Sequence, residues 1–172
     1  MIIEKRNPQW GVPEGIERRK RTREIIVHCT GTPEGHDFSV DEIRAMHLRK
    51  GWKDVGYHYV ITRDGRVWEG RPEELVGAHC QGHNFKSIGV AYVGGVDEHG
   101  SMAKDTRTKA QRKSIGELLA WLHERYPKAS LHGHGEFVNK ACPSFDVVKE
   151  YGDVFSPVGD AIGSLNDNDK NK

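Results

Sequence analysis

Two short runs constrain the fold more than anything else in the chain: EIIVHC, from Glu24 to Cys29, and SIGVAYVGG, from Ser87 to Gly95. Both are rich in β-branched or small apolar residues and lack the polar alternation of a strand with one wet face, so both read as buried strands. Such strands need helices to cover them, and the chain supplies one of the right kind. Ile115, Leu118, Leu119, Leu122 and Tyr126 recur at three- and four-residue spacing and define a stripe that faces a sheet. This helix is predicted to begin near Thr108, with Gln111 where a capping-box partner belongs, and Pro127 ends it.

The remaining elements fit around that frame. Ser39 caps a helix with Glu42 as its reciprocal partner, Gly51 stops it, and Ile43, Met46 and His47 share its inner side. YHYVITRDGRVWEG reads as two alternating strands around a turn containing Asp64 and Gly65, and VDEHGSMAKD as a loop. A short strand around Ala129 to His132 delivers His134 to the edge or end of the sheet, and SFDVVKEY forms a short helix after Pro143. Strands interspersed with helices predict a single α/β domain with a central mixed β-sheet flanked by helices.

At 172 residues the chain is long enough for one real core and too short for two. Residues 1–23 read as an arm, basic in ERRKRTR (Glu17 to Arg23); residues 24–152 form the domain, and residues 153–172 a polar, flexible tail. With 35% hydrophobic and 30% charged residues the chain reads as soluble, and no apolar run approaches the roughly 20 residues of a membrane span. The N-terminus does not read as a secretory signal, and a formal charge of +1 makes no general case for a polyanionic partner.

The candidate chemistry centres on HGHGEFVNKACPSFD, where His134 and Cys142 stand eight residues apart with Lys140 between them. His28, at the end of a hydrophobic strand, is the third candidate. Taken alone it reads more often as a satisfied, partly buried histidine. If the three converge, two imidazoles and a thiolate make a good zinc site with its fourth position left to water, the arrangement of a hydrolase rather than of a structural zinc. Cys29, Cys80 and Cys142 form no CxxC pair and cannot all be paired within the chain, which fits a reduced compartment and a metal-ligating thiol. Lys140 is then placed to face a developing oxyanion, or is a solvent-facing loop lysine. Tyr57 and His58 point to opposite sides of a strand, so Tyr57 either enters the site or packs as a core aromatic. His79 is a candidate for contact with substrate, and His132 for a non-ligand. HExxH, phosphate-loop, dinucleotide and G-x-S-x-G signatures are absent.

IIVHCTGT, RAMHLRKGWKDVGYHYVITRDGRVWEGR, VGAHCQGHNFKSIGVAYVGG and NKACPSFD, from about Ile25 to Lys149, resemble the zinc N-acetylmuramoyl-L-alanine amidases of the peptidoglycan-recognition-like family, in the branch of the T7-type phage lysozymes, or endolysins. The resemblance implies an amidase/peptidoglycan-recognition-like fold, with His28, His134 and Cys142 as zinc ligands, Tyr57 and Lys140 as catalytic residues, and His79 in the substrate groove. It also implies cleavage of the amide between N-acetylmuramic acid and the L-alanine of bacterial peptidoglycan; the chain itself is expected to be a monomer. Such an enzyme waits in the host cytoplasm before lysis and acts at the cell wall after release. The resemblance further implies an alternative: relatives of this branch bind RNA polymerase, so a regulatory protein that captures a muropeptide or inhibits RNA polymerase uses the same fold.

Overall fold

The two apolar runs lie side by side and parallel, with Ile25 opposite Ile88 and His28 opposite Ala91. In the computed structural model, which describes residues 1–155, the elements in chain order are β1 (Ile3–Glu4), β2 (Glu24–Cys29), β3 (Thr32–Pro33), α1 (Val40–Arg49), β4 (Tyr59–Ile61), β5 (Val67–Glu69), β6 (Ser87–Tyr92), β7 (Gly95–Val96), α2 (Lys109–Arg125), β8 (Ser130–Gly133) and α3 (Val147–Tyr151). The main sheet has the order β1-β5-β4-β6-β2-β8, and only the β4–β5 hairpin is antiparallel. β3 and β7 form a separate parallel pair.

Side chains alternate across a strand, so the sheet has two faces to cover. On one face Ile25, Val27, Tyr59, Ile61, Ile88, Val90 and Tyr92 pack against Ile115, Leu118, Leu119 and Leu122 of α2. Those four α2 side chains are fully buried, each contributing about 1.5–3 kcal/mol of apolar transfer. On the other face Val60 and Val93 pack with Val40 and Ile43 of α1 and with Val55. Both expected capping boxes are present: Ser39 with Glu42 and Thr108 with Gln111. Gln111 is itself buried, and its amide nitrogen donates to the carbonyls of Ile61 and Val93, seating the start of α2 on the sheet.

The chain before Glu24, expected as an arm, is instead tied to the domain. Ile3–Glu4 extends the sheet beside β5. Arg6 reaches the fully buried Asp54 at 2.9 Å, which Arg44 also meets at 2.7 Å. The basic run is held by its backbone: Val76 donates to Glu17, Arg19 to Glu74 and Arg23 to Lys86, at 2.7–2.8 Å. Buried charge pairing and strand-like backbone bonds, neither with a local sequence signature, account for the difference. At the other end, Gly152–Phe155 form a 3₁₀ turn with Val154 and Phe155 against the core, so the domain runs past the expected boundary; residues 156–172 of the expected tail lie outside the described residues. Among the described residues no helix is long and apolar enough to cross a membrane.

Candidate active site

β8 runs parallel to β2 with Val27 opposite Gly133, so the next residue along each strand is a histidine: His28 on one, His134 on the other. Their ring centroids are 4.3 Å apart. The chain then makes a 3₁₀ turn at His134–Glu136 and folds back, and Gly135 N–H donates to the Cys142 carbonyl at 2.7 Å. A Cβ on Gly135 would lie 2.7 Å from the Lys140 carbonyl oxygen, so only glycine permits this return. Cys142 Sγ thereby sits 3.2 Å from the backbone N–H of Cys29, beside His28. One donor atom from each of His28, His134 and Cys142 lies within 4.8 Å of the other two, and among the described residues no fourth His, Cys, Asp or Glu joins them.

Both imidazoles are in the protonation state a metal ion needs. His28 is 2% exposed, and burial, then the neighbouring imidazoles of His134 and His58, hold its pKa well below the ordinary value. Burial and then Lys140 depress His134 in the same direction, so both imidazoles stay neutral and keep a lone pair. The hydrogen bond with Cys29, then burial, push the Cys142 thiol up, so a metal ion binding there releases its proton. Two imidazole nitrogens and one sulfur, with a position left open, fit zinc.

Tyr57 is half-buried beside the set, its ring centroid 5.3 Å from that of His28 and its hydroxyl donating to the Cys29 carbonyl at 3.4 Å. Burial, then Cys142 and Cys29, raise its pKa, so it remains a phenol with a proton to donate. Lys140 is exposed on the return loop, near enough to lower the pKa of His134. His58 does point away, its Nε2 on the Leu75 carbonyl at 2.8 Å. His132 is engaged by Glu136 at 2.6 Å and Ser130 at 2.7 Å rather than joining the metal set. A cavity of about 550 Å³ lies elsewhere, lined by Arg6, Trp10, Phe38 and Trp68 among others, and none of the site residues borders it.

His79 is where the sequence reading goes astray. It is 7% exposed and lies behind His28, with Nδ1 2.8 Å from His28 Nε2, a buried place rather than the expected one in the substrate groove. Its supports, Ser87 and two glycines, belong to no motif that marks them as such. The available signal was Gly89 in the middle of an apolar strand, a position that marks close approach.

Residues 18–145 match the family model for N-acetylmuramoyl-L-alanine amidase. The chain belongs to the N-acetylmuramoyl-L-alanine amidase family. The endolysin of Escherichia phage T7 is 46% identical over 132 residues, covering 77% of this chain and 87% of the relative. Among solved structures, the N-acetylmuramoyl-L-alanine amidase LysC from Clostridium intestinale superposes with a TM-score of 0.72 at 25% identity, over 85% of this chain and 91% of that one. The Ph2119 endolysin from a Thermus scotoductus bacteriophage gives 0.74 at 26% identity, over 90% and 99%. The activity is accordingly that of an N-acetylmuramoyl-L-alanine amidase, with peptidoglycan as substrate.

Proposed function

We propose that this chain is a zinc-dependent endolysin that hydrolyses the amide between the lactyl group of N-acetylmuramic acid and the L-alanine that begins the stem peptide. The observation that carries the metal assignment is the convergence of His28, His134 and Cys142, from three separate segments, to within 4.8 Å. These three side chains would hold zinc, which would supply Lewis-acid polarisation of the scissile carbonyl and a water activated near neutral pH. The protein supplies the rest. Tyr57, kept protonated by its surroundings, orients the attacking water through its hydroxyl. Lys140, exposed on its loop, places an ammonium against the negative charge that develops on the carbonyl oxygen. The neutral state of both histidines keeps their nitrogens available to the metal rather than to protons. In this reading the protein waits in the cytoplasm of a phage-infected or prophage-carrying host and reaches the wall on release.

The test is digestion of purified peptidoglycan by metal-free and zinc-restored protein. New N-terminal alanine, without new reducing sugar ends, is expected only with zinc; metal-independent release, or none from any peptidoglycan, would overturn the proposal. Capture of RNA polymerase rests on resemblance alone. A pull-down with a Cys142→Ser variant separates that role from turnover.

A further inference from the structure

His28 has two ring nitrogens, and only one with an unprotonated lone pair can hold a metal. We propose that His79 and Ser87 form a one-way hydrogen-bond relay that fixes His28 as its Nε2–H tautomer and leaves Nδ1 open toward His134 and Cys142. This inference rests on the reading of those residues as the zinc set, and makes His79 a positioning residue.

The direction follows from the far end of the chain of bonds. Ser87 Oγ lies 2.8 Å from the His83 carbonyl oxygen, which can only accept, so the single hydroxyl proton is committed there. Ser87 Oγ also lies 3.2 Å from His79 Nε2, and with its proton spent it must accept from that nitrogen. His79 therefore carries its proton on Nε2. Its Nδ1, 2.8 Å from His28 Nε2, is left as an acceptor, and His28 Nε2 must be the donor. The argument requires a neutral His79. The ring is 7% exposed and has no carboxylate among its hydrogen-bond partners, so nothing there would stabilise a buried imidazolium.

The His79 ring is also held in place. A Cβ on Gly89 would lie 2.5 Å from His79 Cγ, and one on Gly77 would lie 2.6 Å from His79 Cδ2. Two glycines thus leave the room this ring occupies, one of them at a strand position paired with Ile26 of β2, two residues before the ligand. His58, 5.7 Å away between centroids, offers His79 no proton: its Nε2 donates to the Leu75 carbonyl and its Nδ1 accepts from Gly89 N–H at 3.0 Å. An acceptor behind a ligating imidazole fixes the ring and raises its basicity toward the metal.

The direct test is long-range ¹H–¹⁵N correlation on ¹⁵N-histidine-labelled, metal-free protein. His28 and His79 should both carry their proton on Nε2; a proton on Nδ1 of His28 overturns the proposal. The second arm compares His79→Leu, which removes the acceptor, with His79→Asn, whose side-chain oxygen can replace Nδ1, by zinc competition against a chromophoric chelator. The leucine variant should lose about 10- to 100-fold in zinc affinity while the asparagine variant stays within about threefold of wild type. Thermal unfolding of the metal-free proteins shows whether both fold; equal affinities in two folded variants overturn the relay. If His79→Leu does not fold, the tautomer measurement decides. Wild-type protein that binds no zinc would instead refute the metal assignment, leaving the tautomer result to stand by itself.

Discussion

The same glycine-to-alanine change should have opposite signs at Gly89 and Gly116. At Gly89 the added Cβ would stand 2.5, 2.7 and 2.8 Å from Cγ, Cδ2 and Nδ1 of His79. Ordinary carbon contacts fall at about 3.5–4.0 Å, so the ring must retreat by about 1 Å. That stretches a 2.8 Å bond to His28 beyond hydrogen-bonding range. Overpacking of about 1–3 kcal/mol and a lost buried hydrogen bond of about 1 kcal/mol together cost about 2–4 kcal/mol. For a domain of this size the melting temperature should fall by roughly 5–15 °C. At Gly116, inside α2, the nearest atom is Tyr151 Cε1 at 3.5 Å, an ordinary contact. Alanine there gains about 0.5–1 kcal/mol of helix propensity, and the melting temperature should rise by about 1–4 °C. Thermal unfolding of the metal-free proteins by circular dichroism measures both, and zinc competition shows whether the Gly89 change reaches His28. A Gly89→Ala protein with wild-type melting temperature and zinc affinity would refute the close packing on which the argument stands.

If Lys140 acts as proposed, on charge that exists only in the transition state, Lys140→Ala should slow amide hydrolysis by about 10²- to 10³-fold with zinc affinity within a few-fold of wild type; steady-state kinetics and chelator competition separate the two. Tyr57→Phe should likewise reduce turnover, by about 10²-fold, and a matching fall in zinc affinity would show that the ring supports His28 instead. Glu73 predicts an acid-sensitive contribution to stability. Burial by itself raises its carboxyl pKa, but hydrogen bonds from Tyr126, Tyr59 and Arg125 outweigh it and hold the folded value below the usual one. The stabilisation is then complete above about pH 4.3, the unfolded value, and is lost as pH falls through the lower folded value. Acid titration of thermal stability should show a smaller loss below that pH in Glu73→Gln than in wild type.

Elements whose stabilising pattern is local were legible: the α2 stripe, the capping boxes at Ser39 and Thr108, the turn at Asp64–Gly65 and the two apolar strands all carry their signal within a few residues. β1 and the β3–β7 pair are two residues long, too short for any period, and exist through partners such as Val67 and Gly95 that lie 64 and 63 positions away. The attachment of the N-terminal segment depends on Arg6 meeting Asp54 across 48 positions. The site divides the same way. Residue type and strand ends suggested His28, His134 and Cys142, but the Val27–Gly133 register that sets the histidines side by side is a tertiary fact. His79 shows the remaining gap: a histidine next to glycine-rich sequence can face substrate or stand behind a ligand, and only its direction separates the two. The misplaced residue thereby accounts for Gly89. A strand glycine there weakens β6 for its own part, yet any side chain would displace the ring that points His28 at the metal position.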